Sequence, residues 1–355
     1  MIYGNTSSFK ELGIYLTYWV SAVFFFALTR FWHTEFIRDE TVLIHLGHTI
    51  QIALNYGLII GLLIYIMKSY IAHKNFRNLS YGKMILYRNL SYVALFVLIY
   101  AIRTFIANSN VFGVANSEIF KGDFLSAEMM ISMFAMLFFA VLFDIFTQVA
   151  LKIGKKNFWK MLTGRYHSPK EEEKLFMFLD LQSSTTIAEQ LGHKEYSKFI
   201  QECFKDISII GDYGGEVYQY VGDEAVFTWD AKNKRNNRNS IEAFYAFQDR
   251  IKERESFYSE KYGTVPVFKA GLHGGEVMVA EVGLLKKEIA FHGDTINTAA
   301  RIQELCNEKG KIFLTSEYFR SDEAASDKYE WEDMGDILLK GRQTSTKLYH
   351  PALVG

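Results

Sequence analysis

The sequence predicts two domains of different fold class. An all-α transmembrane domain of four helices is expected over residues 1–150, and an α+β, ferredoxin-like (βαββαβ) domain over residues 174–355. The first prediction depends on four apolar stretches, each long enough to cross a bilayer. The second depends on strand and helix patterns that follow one another in the order β-α-β-β-α-β.

Composition narrows the class of protein further. The formal net charge of the 355 residues is −1, which argues against a general nucleic-acid binder. The two cysteines, Cys203 and Cys306, are too few for a disulfide framework. Both are expected to be reduced and buried, which fits a cytosolic location of the second domain.

The four predicted membrane helices share a length of about 20 mainly apolar residues. The first lacks a short basic start and a small-residue cleavage site, so it is not expected to be a signal peptide. Lys and Arg are concentrated after the second and fourth helices, which places both termini in the cytoplasm of a multi-pass inner or plasma membrane protein. The helices are expected at about 12–30, 46–67, 86–107 and 127–150.

Ionisable side chains within these spans need an explanation, because they are costly in lipid. Arg103 and Asp144 are expected near opposite membrane surfaces, so snorkelling is favoured over a pair. His33, His45 and His48 cluster near the outer side of the first two helices. Histidine ligates haem and metals, but the other spans offer no matched histidine, so no haem site is favoured.

The elements of the second domain follow from apolar alternation and helical spacing. A linker over 151–173, punctuated by Gly164 and Pro169, precedes them and would carry any signal from the membrane. We predict a buried strand at 175–181, a helix at 186–210, a hairpin at 216–229, an amphipathic helix at 237–260, a glycine-broken strand pair at 267–282, a strand at 287–293, a helix at 294–306 capped by Asp294 or Thr295, a strand at 311–316 and an edge hairpin at 337–350.

Two aspartates are the main candidates for chemistry. Asp180 ends an apolar strand, and Asp223 lies in a tight Gly-Asp turn, so their carboxylates can converge. Hard oxygen ligands suit Mg²⁺ or Mn²⁺, and these ions handle phosphates. Asn297 and Arg301 lie four residues apart on one helix face. Each signal alone is an ordinary turn, cap or surface residue, but together they indicate phosphoryl chemistry on a nucleotide.

With these motifs in this order, residues from about 174 to 350 resemble the catalytic domain of class III nucleotidyl cyclases. Asp180 in FLDL matches the first metal aspartate of that family, and Gly222-Asp223 matches the second. The pattern G-x-x-[VI]-N-x-A-x-R is matched from Gly293 to Arg301. The resemblance implies that two divalent ions, Mg²⁺ or Mn²⁺, are held by Asp180, Asp223 and the backbone carbonyl of Leu181.

The resemblance also implies roles for the other site residues. Asn297 would orient the ribose, Arg301 would stabilise charge on the α-phosphate, and either Lys340 or Arg342 would bind the terminal phosphates. Because the family builds its sites between two catalytic domains, a homodimer with two shared sites is implied. The residues expected to contact substrate are Gln182, Ser183, Ser184, Thr185, Gln219, Gly222, Ala290, Lys340 and Arg342.

The base-selecting positions depart from the family pattern. Gln219 stands where adenylyl cyclases of the family carry Lys, and Ala290 stands where they carry Asp or Thr. An amide can serve either purine edge, so neither position excludes ATP or GTP. Glu224 replaces the usual Gly after Asp223 and adds charge that could favour Mn²⁺. A membrane-anchored adenylyl cyclase is the first hypothesis; a guanylyl cyclase and a non-catalytic sensor module are the alternatives.

Overall fold

The computed structural model describes residues 5–35, 42–73, 81–108, 127–320 and 328–353. The chain divides into two compact units, Met1–Lys152 and Ile153–Gly355. The described part of the first unit consists of helices α1 (Asn5–Glu35), α2 (Val42–His73), α3 (Tyr81–Asn108) and α4 (Ala127–Ile153).

Each segment predicted as a membrane helix is helical, and each helix extends beyond the predicted bounds. Within the described residues, two stretches are long and apolar enough to cross a membrane, Thr49–Met67 and Met133–Ala150. The apolar parts of α1 and α3 are shorter, Leu12–Leu28 and Ile85–Leu98. Length and composition therefore identify two candidate membrane spans among the described residues.

Helices α1 and α2 approach each other closely at two glycines of α2. A Cβ atom on Gly57 would lie 2.5 Å from Val20 Cα, and one on Gly61 would lie 3.2 Å from Leu16 Cα. Small residues spaced four apart let two helix backbones come together and gain van der Waals contact. This packing depends on the absence of side chains at both glycines.

A buried ion pair joins α3 and α4, which corrects one prediction. Arg88 Nε lies 2.8 Å from Asp144 Oδ2, and Asn89 donates a further hydrogen bond of 3.2 Å to the same oxygen. Asp144 is 1% exposed, so its predicted snorkelling is wrong. The first turns of α3 and the last turns of α4 lie at one end of the unit, which gives Asp144 a partner there. The side chain of Arg103 and those of the three predicted outer histidines lie outside the described residues.

The second unit begins with α5 (Lys155–Leu162) and contains a mixed sheet with helices on both faces. The elements that follow are β1 (Lys170–Leu181), α6 (Ser184–Ile207), β2 (Glu216–Val221), β3 (Glu224–Asp230), α7 (Arg235–Glu253), α8 (Glu255–Tyr262), β4 (Phe268–Val282), β5 (Glu288–His292), α9 (Asp294–Glu304), β6 (Phe313–Ser316), β7 (Tyr329–Ile337) and β8 (Thr346–Leu353).

The first four strands lie in the order β2-β3-β1-β4, the antiparallel arrangement expected for βαββαβ. Strand β6 pairs with β4 in parallel, β8 pairs with β6, and β7 pairs with β8. Strand β5 also pairs with β4.

Alternate residues of β1 face two different cores. Leu175, Met177 and Leu179 pack with α6, α7 and α8. Phe176 and Phe178 face the other way, where α9 and β5 cover the sheet. Asp180 continues the second series, so β1 directs it to the side of α9.

Three local predictions need correction. The glycine-broken pair at 267–282 is one continuous strand, β4, because its glycines make room for neighbours instead of ending the strand: a Cβ on Gly271 would lie 2.2 Å from the backbone nitrogen of Gln303. The helix at 237–260 is two helices, which meet at Arg254. The final hairpin is not wholly at the edge, since β8 lies between β6 and β7.

The segment predicted as a linker is tied to the sheet through Glu172. This carboxylate accepts hydrogen bonds of 2.9 Å from both Arg165 and Tyr166, and it lies 3.0 Å from Lys174 Nζ. Burial alone would raise the pKa of Glu172, but these partners hold it at about 2. Tyr166 is 3% exposed and packs in the core beneath α9. Residues 165–174 therefore form a fixed part of the second unit.

Candidate active site

Asp180 lies at the end of β1, half-buried, on the face that α9 covers. Lys269 is the partner of Asp180 in the β1–β4 register. Burial and the charge of Asp223 raise the pKa of Asp180, while Lys269 of β4 and Gln303 of α9 oppose the rise. Side chains from two neighbouring elements therefore influence this carboxylate.

Asp223 occupies the two-residue turn between β2 and β3. Val221 pairs with Glu224 across the turn, and Gly222 has a φ of 62°, as a type II′ turn requires at its first central position. The charge of Asp223 contributes to the raised pKa of Asp180 and of Glu224. The structure thus brings the two predicted metal aspartates to the same end of the sheet.

Glu224 is a third carboxylate at this end. The register pairs Leu179 with Ala225, so the next position on each strand brings Asp180 opposite Glu224, on the same face of the sheet. Burial and the charges of Asp180 and Asp223 raise the pKa of Glu224 to about 7. The repulsion among these carboxylates is what a bound cation would relieve.

The turn after Asp180 forms the start of α6. Leu181 is buried, and the backbone nitrogen of Gln182 donates to the carbonyl of Val267 at 2.8 Å. Ser183 has a φ of 58°, the one positive value at a non-glycine position in the described chain, and α6 begins at Ser184 without a side-chain cap. The first N–H groups of a helix lack partners within it and attract anions. The predicted phosphate-binding residues, Gln182 to Thr185, therefore lie at a helix N-terminus beside Asp180.

Helix α9 starts differently from the prediction. Its cap position is Gly293, with a φ of 145° and no side-chain cap, so neither Asp294 nor Thr295 caps it. Thr295 Oγ1 instead donates to the carbonyl of Glu276 at 2.7 Å, and Asp294 Oδ2 lies 2.6 Å from Arg342 Nη2. These two contacts attach the start of α9 to β4 and to the turn between β7 and β8.

Asn297 and Arg301 lie on the outer side of α9, as their spacing predicts. Asn297 Nδ2 lies 3.4 Å from the carbonyl of Gly293, and Arg301 donates two hydrogen bonds, of 2.7 and 2.9 Å, to Glu304. Arg301 borders a groove of about 230 Å³, whose lining residues are Arg301, Glu304, Leu305, Leu338, Leu339 and Lys340. Lys340 therefore shares a surface with Arg301.

Arg342 contacts Asp294 and Thr346. Besides its ion pair with Asp294, its Nη1 donates to Thr346 Oγ1 at 3.0 Å. Of the two cations that the sequence leaves open for the terminal phosphates, Lys340 is the exposed one in the groove.

The base-selecting candidates lie on two different strands. Gln219 is exposed on β2, next to an irregularity in the β2–β3 register. Ala290 is half-buried on β5 and pairs with Ala280 of β4. The aromatic contact of Tyr218 with Phe291, at 4.9 Å between ring centroids, brings these strands together.

Three residues near the aspartates were missed by sequence reasoning. Lys269 and Gln303 both lower the pKa of Asp180. Burial and the charges of Asp223 and Asp180 raise the pKa of the Tyr196 hydroxyl on α6. The helical pattern of α9 extends two residues beyond Arg301 and so includes Gln303. The positions of Lys269 and Tyr196 near the aspartates depend on tertiary packing.

The donors at this end of the sheet suit a hard divalent cation. They are carboxylate oxygens carrying excess negative charge, and the ions that prefer such ligands are Mg²⁺ and Mn²⁺. Within the described ranges, no group of three or more His, Cys, Asp and Glu side chains is arranged to hold a metal ion. Mg²⁺ is usually held by one or two carboxylates together with water and substrate phosphates, so the donor set fits an ion that arrives with a nucleotide.

Known proteins resemble the second unit. Adenylate cyclase 2 of Rhizobium meliloti (strain 1021) is 34% identical over 191 residues, 54% of this chain and 53% of the relative. Guanylyl cyclase C of Rattus norvegicus is 26% identical over 178 residues, 49% of this chain and 16% of the relative. The chain thus spans about half the length of the first relative and a much smaller part of the second.

A solved structure and a family profile agree with this resemblance. A bacterial light-regulated adenylyl cyclase shares the fold with a TM-score of 0.54 and 18% identity, over 64% of this chain and 66% of that one. The profile of the adenylate and guanylate cyclase catalytic domain matches residues 167–350, just over half of the chain. The chain belongs to the adenylate and guanylate cyclase family.

Proposed function

We propose that the chain is a membrane-anchored adenylyl cyclase, which converts ATP to 3′,5′-cyclic AMP and pyrophosphate at a homodimer interface. The observation that carries this proposal is the position of Asp180 and Asp223 beside the N-terminus of α6. Two carboxylates for a metal ion and free helix N–H groups for phosphate then lie side by side. A nucleoside triphosphate with its bound ion matches that pair of features.

The chain's own residues would bind and orient the substrate. Asp180, Asp223 and the Leu181 carbonyl would hold two divalent ions, which lower the pKa of the ribose 3′-hydroxyl and neutralise the triphosphate. Asn297 would orient the ribose, and Arg301 would stabilise the charge that develops on the α-phosphate.

The reaction itself needs no protein nucleophile. The 3′-oxygen forms a bond to the α-phosphorus, the bond from that phosphorus to the β-phosphate oxygen breaks, and pyrophosphate leaves. The proton of the 3′-hydroxyl passes to solvent. Lys340 would hold the leaving pyrophosphate, because it is exposed in the groove that it shares with Arg301.

The shared-site arrangement is supported by the lining of the groove. The groove beside Arg301 and Lys340 is lined by neither Asp180 nor Asp223. A two-fold dimer would place the groove of one chain over the aspartates of the other, and each dimer would then have two equivalent sites.

Helices α2 and α4 contain the two candidate membrane spans. Two stretches meet the length and apolarity of a span. We propose that α1 and α3 cross the membrane with them, because α1 packs against α2 and α3 is joined to α4 by a buried ion pair. Four spans place both termini on one side, and the basic loops make that side the cytoplasm.

Guanylyl cyclase activity is the second candidate. Guanylyl cyclase C is among the relatives at 26% identity, and the amide of Gln219 can serve either base. ATP is favoured because the relative at 34% identity is an adenylate cyclase.

Purified full-length chain assayed with ATP and with GTP, each with Mg²⁺ and with Mn²⁺, tests the substrate. Cyclic AMP from ATP supports the proposal, and product from GTP alone overturns it. Mixing an Asp180→Ala chain with an Arg301→Ala chain tests the dimer. Each variant alone should be inactive, and the mixture should regain activity through the one intact site of each heterodimer. A mixture that stays inactive contradicts the shared site.

A further inference from the structure

The turn between β7 and β8 has a defined geometry at residues 339–342. The backbone nitrogen of Arg342 donates to the carbonyl of Leu339 at 3.0 Å, which closes a four-residue turn. Gly341 occupies its third position with a φ of 86°, as a type II turn requires. Lys340 is therefore at the exposed corner of the turn, and Arg342 is at its end.

Helix α9 holds this turn at both ends. Leu339 is 3% exposed and packs with Ile302 in one apolar cluster. Arg342 Nη2 lies 2.6 Å from Asp294 Oδ2, at the first residue of the helix, while Nη1 bonds to the buried Thr346. Asp294 and Ile302 are eight residues apart, about 12 Å along the helix axis. The turn thus spans two helical turns of α9, with Lys340 between its two attachments.

We infer that Arg342 is a positioning residue whose ion pair with Asp294 fixes this turn on α9, so that Lys340 stands beside Arg301 where the leaving pyrophosphate is bound. Lysine has many rotamers, and fixing its backbone reduces the entropy lost when its ammonium group binds a phosphate. The guanidinium of Arg342 is already held by Asp294 and Thr346, so its role is to orient Lys340. The inference rests on the proposed function.

Exposed ion pairs contribute little to global stability, so the pair should affect substrate binding more than folding. We expect Asp294→Ala and Arg342→Ala each to raise KM for the nucleotide about fivefold with little change in kcat. Lys340→Ala should lower kcat/KM about 10- to 100-fold, the size of a lost charge-assisted hydrogen bond. Arg342→Lys, which keeps the charge, should be intermediate.

The charge-reversed double variant Asp294→Arg with Arg342→Asp is the sharpest kinetic test. If the pair only positions the turn, the reversed pair restores KM towards the wild-type value. If Arg342 binds phosphate itself, an aspartate at position 342 repels it and the double variant is worse than either single one. That result would overturn the inference. So would a loss of kcat/KM in Arg342→Ala as large as that in Lys340→Ala, if Asp294→Ala leaves kcat/KM unchanged.

Limited trypsin digestion of the full chain provides a readout that does not need activity. Release of the turn should speed cleavage after Lys340 severalfold in Asp294→Ala. Arg238→Ala, which breaks an exposed ion pair with Glu242 on α7, is the matched control and should leave that cleavage unchanged. An unchanged rate in Asp294→Ala contradicts the inference. A wild-type chain without cyclase activity would instead refute the proposed function, whatever the digestion shows.

Discussion

Replacing Gly271 by alanine should displace helix α9. A Cβ atom there would lie 2.2 Å from the backbone nitrogen of Gln303 and 2.6 Å from the carbonyl oxygen of Ala299, whereas ordinary contacts begin at 3.4 Å. Both neighbours are backbone atoms of α9, so no side-chain rotation relieves the overlap. The helix must move away from β4 by about 1 Å.

This displacement should reduce activity more than stability. Overpacking of this kind costs about 1–3 kcal/mol. Asn297 and Arg301 move with the helix, and a 1 Å misplacement of a catalytic group can cost about 10²-fold in rate. Gln303, which lowers the pKa of Asp180, moves with the helix as well.

Full-length Gly271→Ala should be compared with wild type in thermal melting and in initial rates of cyclic nucleotide formation. Gly211→Ala is the matched control, because a Cβ there has nothing within 4 Å. A melting temperature and an initial rate in Gly271→Ala equal to those of Gly211→Ala would show that α9 is not displaced. A large loss of stability with unchanged activity of the folded fraction would also refute the reasoning, since the displaced helix carries the proposed catalytic residues.

Three further predictions concern stability. The pKa of Glu172 is lower in the folded chain than in the unfolded chain, so its ionised form stabilises the second unit, and this contribution should be lost as pH falls from about 4.5 towards 2. The free energy of unfolding in urea should therefore fall less across that pH range in Glu172→Gln than in wild type. Gly57→Leu should lower the melting temperature of the detergent-solubilised chain by forcing α1 from α2, whereas Gly47→Leu, with nothing within 4 Å, should not. Asp144→Ala should destabilise the chain by about 3–5 kcal/mol, because Arg88 stays buried without its carboxylate, and an unchanged melting temperature would contradict that assignment.

The positions of the main site residues could be predicted from local signals. Asp180 ends an apolar strand, Asp223 lies in a Gly-Asp turn, and Asn297 and Arg301 share a helix face, so each is defined by its immediate neighbours. The resemblance gave the class of chemistry, which no one of these signals carries by itself.

Other features depend on contacts between residues distant in sequence. Asp144 is predicted at the membrane surface because depth excludes a pair with Arg103, and no local signal identifies Arg88, on another helix, as its partner. The glycines near 271 predict a broken strand pair, since nothing local shows that a helix lies against them. The proposed choice of Lys340 over Arg342 likewise depends on the position of Asp294, which the turn contacts only in the folded domain.

Strand β1 links the tethered segment at Glu172 to the candidate site at Asp180. It pairs with β4 without interruption from Lys170 to Leu181, and β3 flanks its second half. Twelve residues of strand are about 40 Å of nearly inextensible backbone. A strand that is paired along its whole length resists stretching, so we expect a displacement of β1 near Glu172 to move Asp180 as well. The segment held by Glu172 and the candidate carboxylate of Asp180 therefore lie on one continuously paired strand.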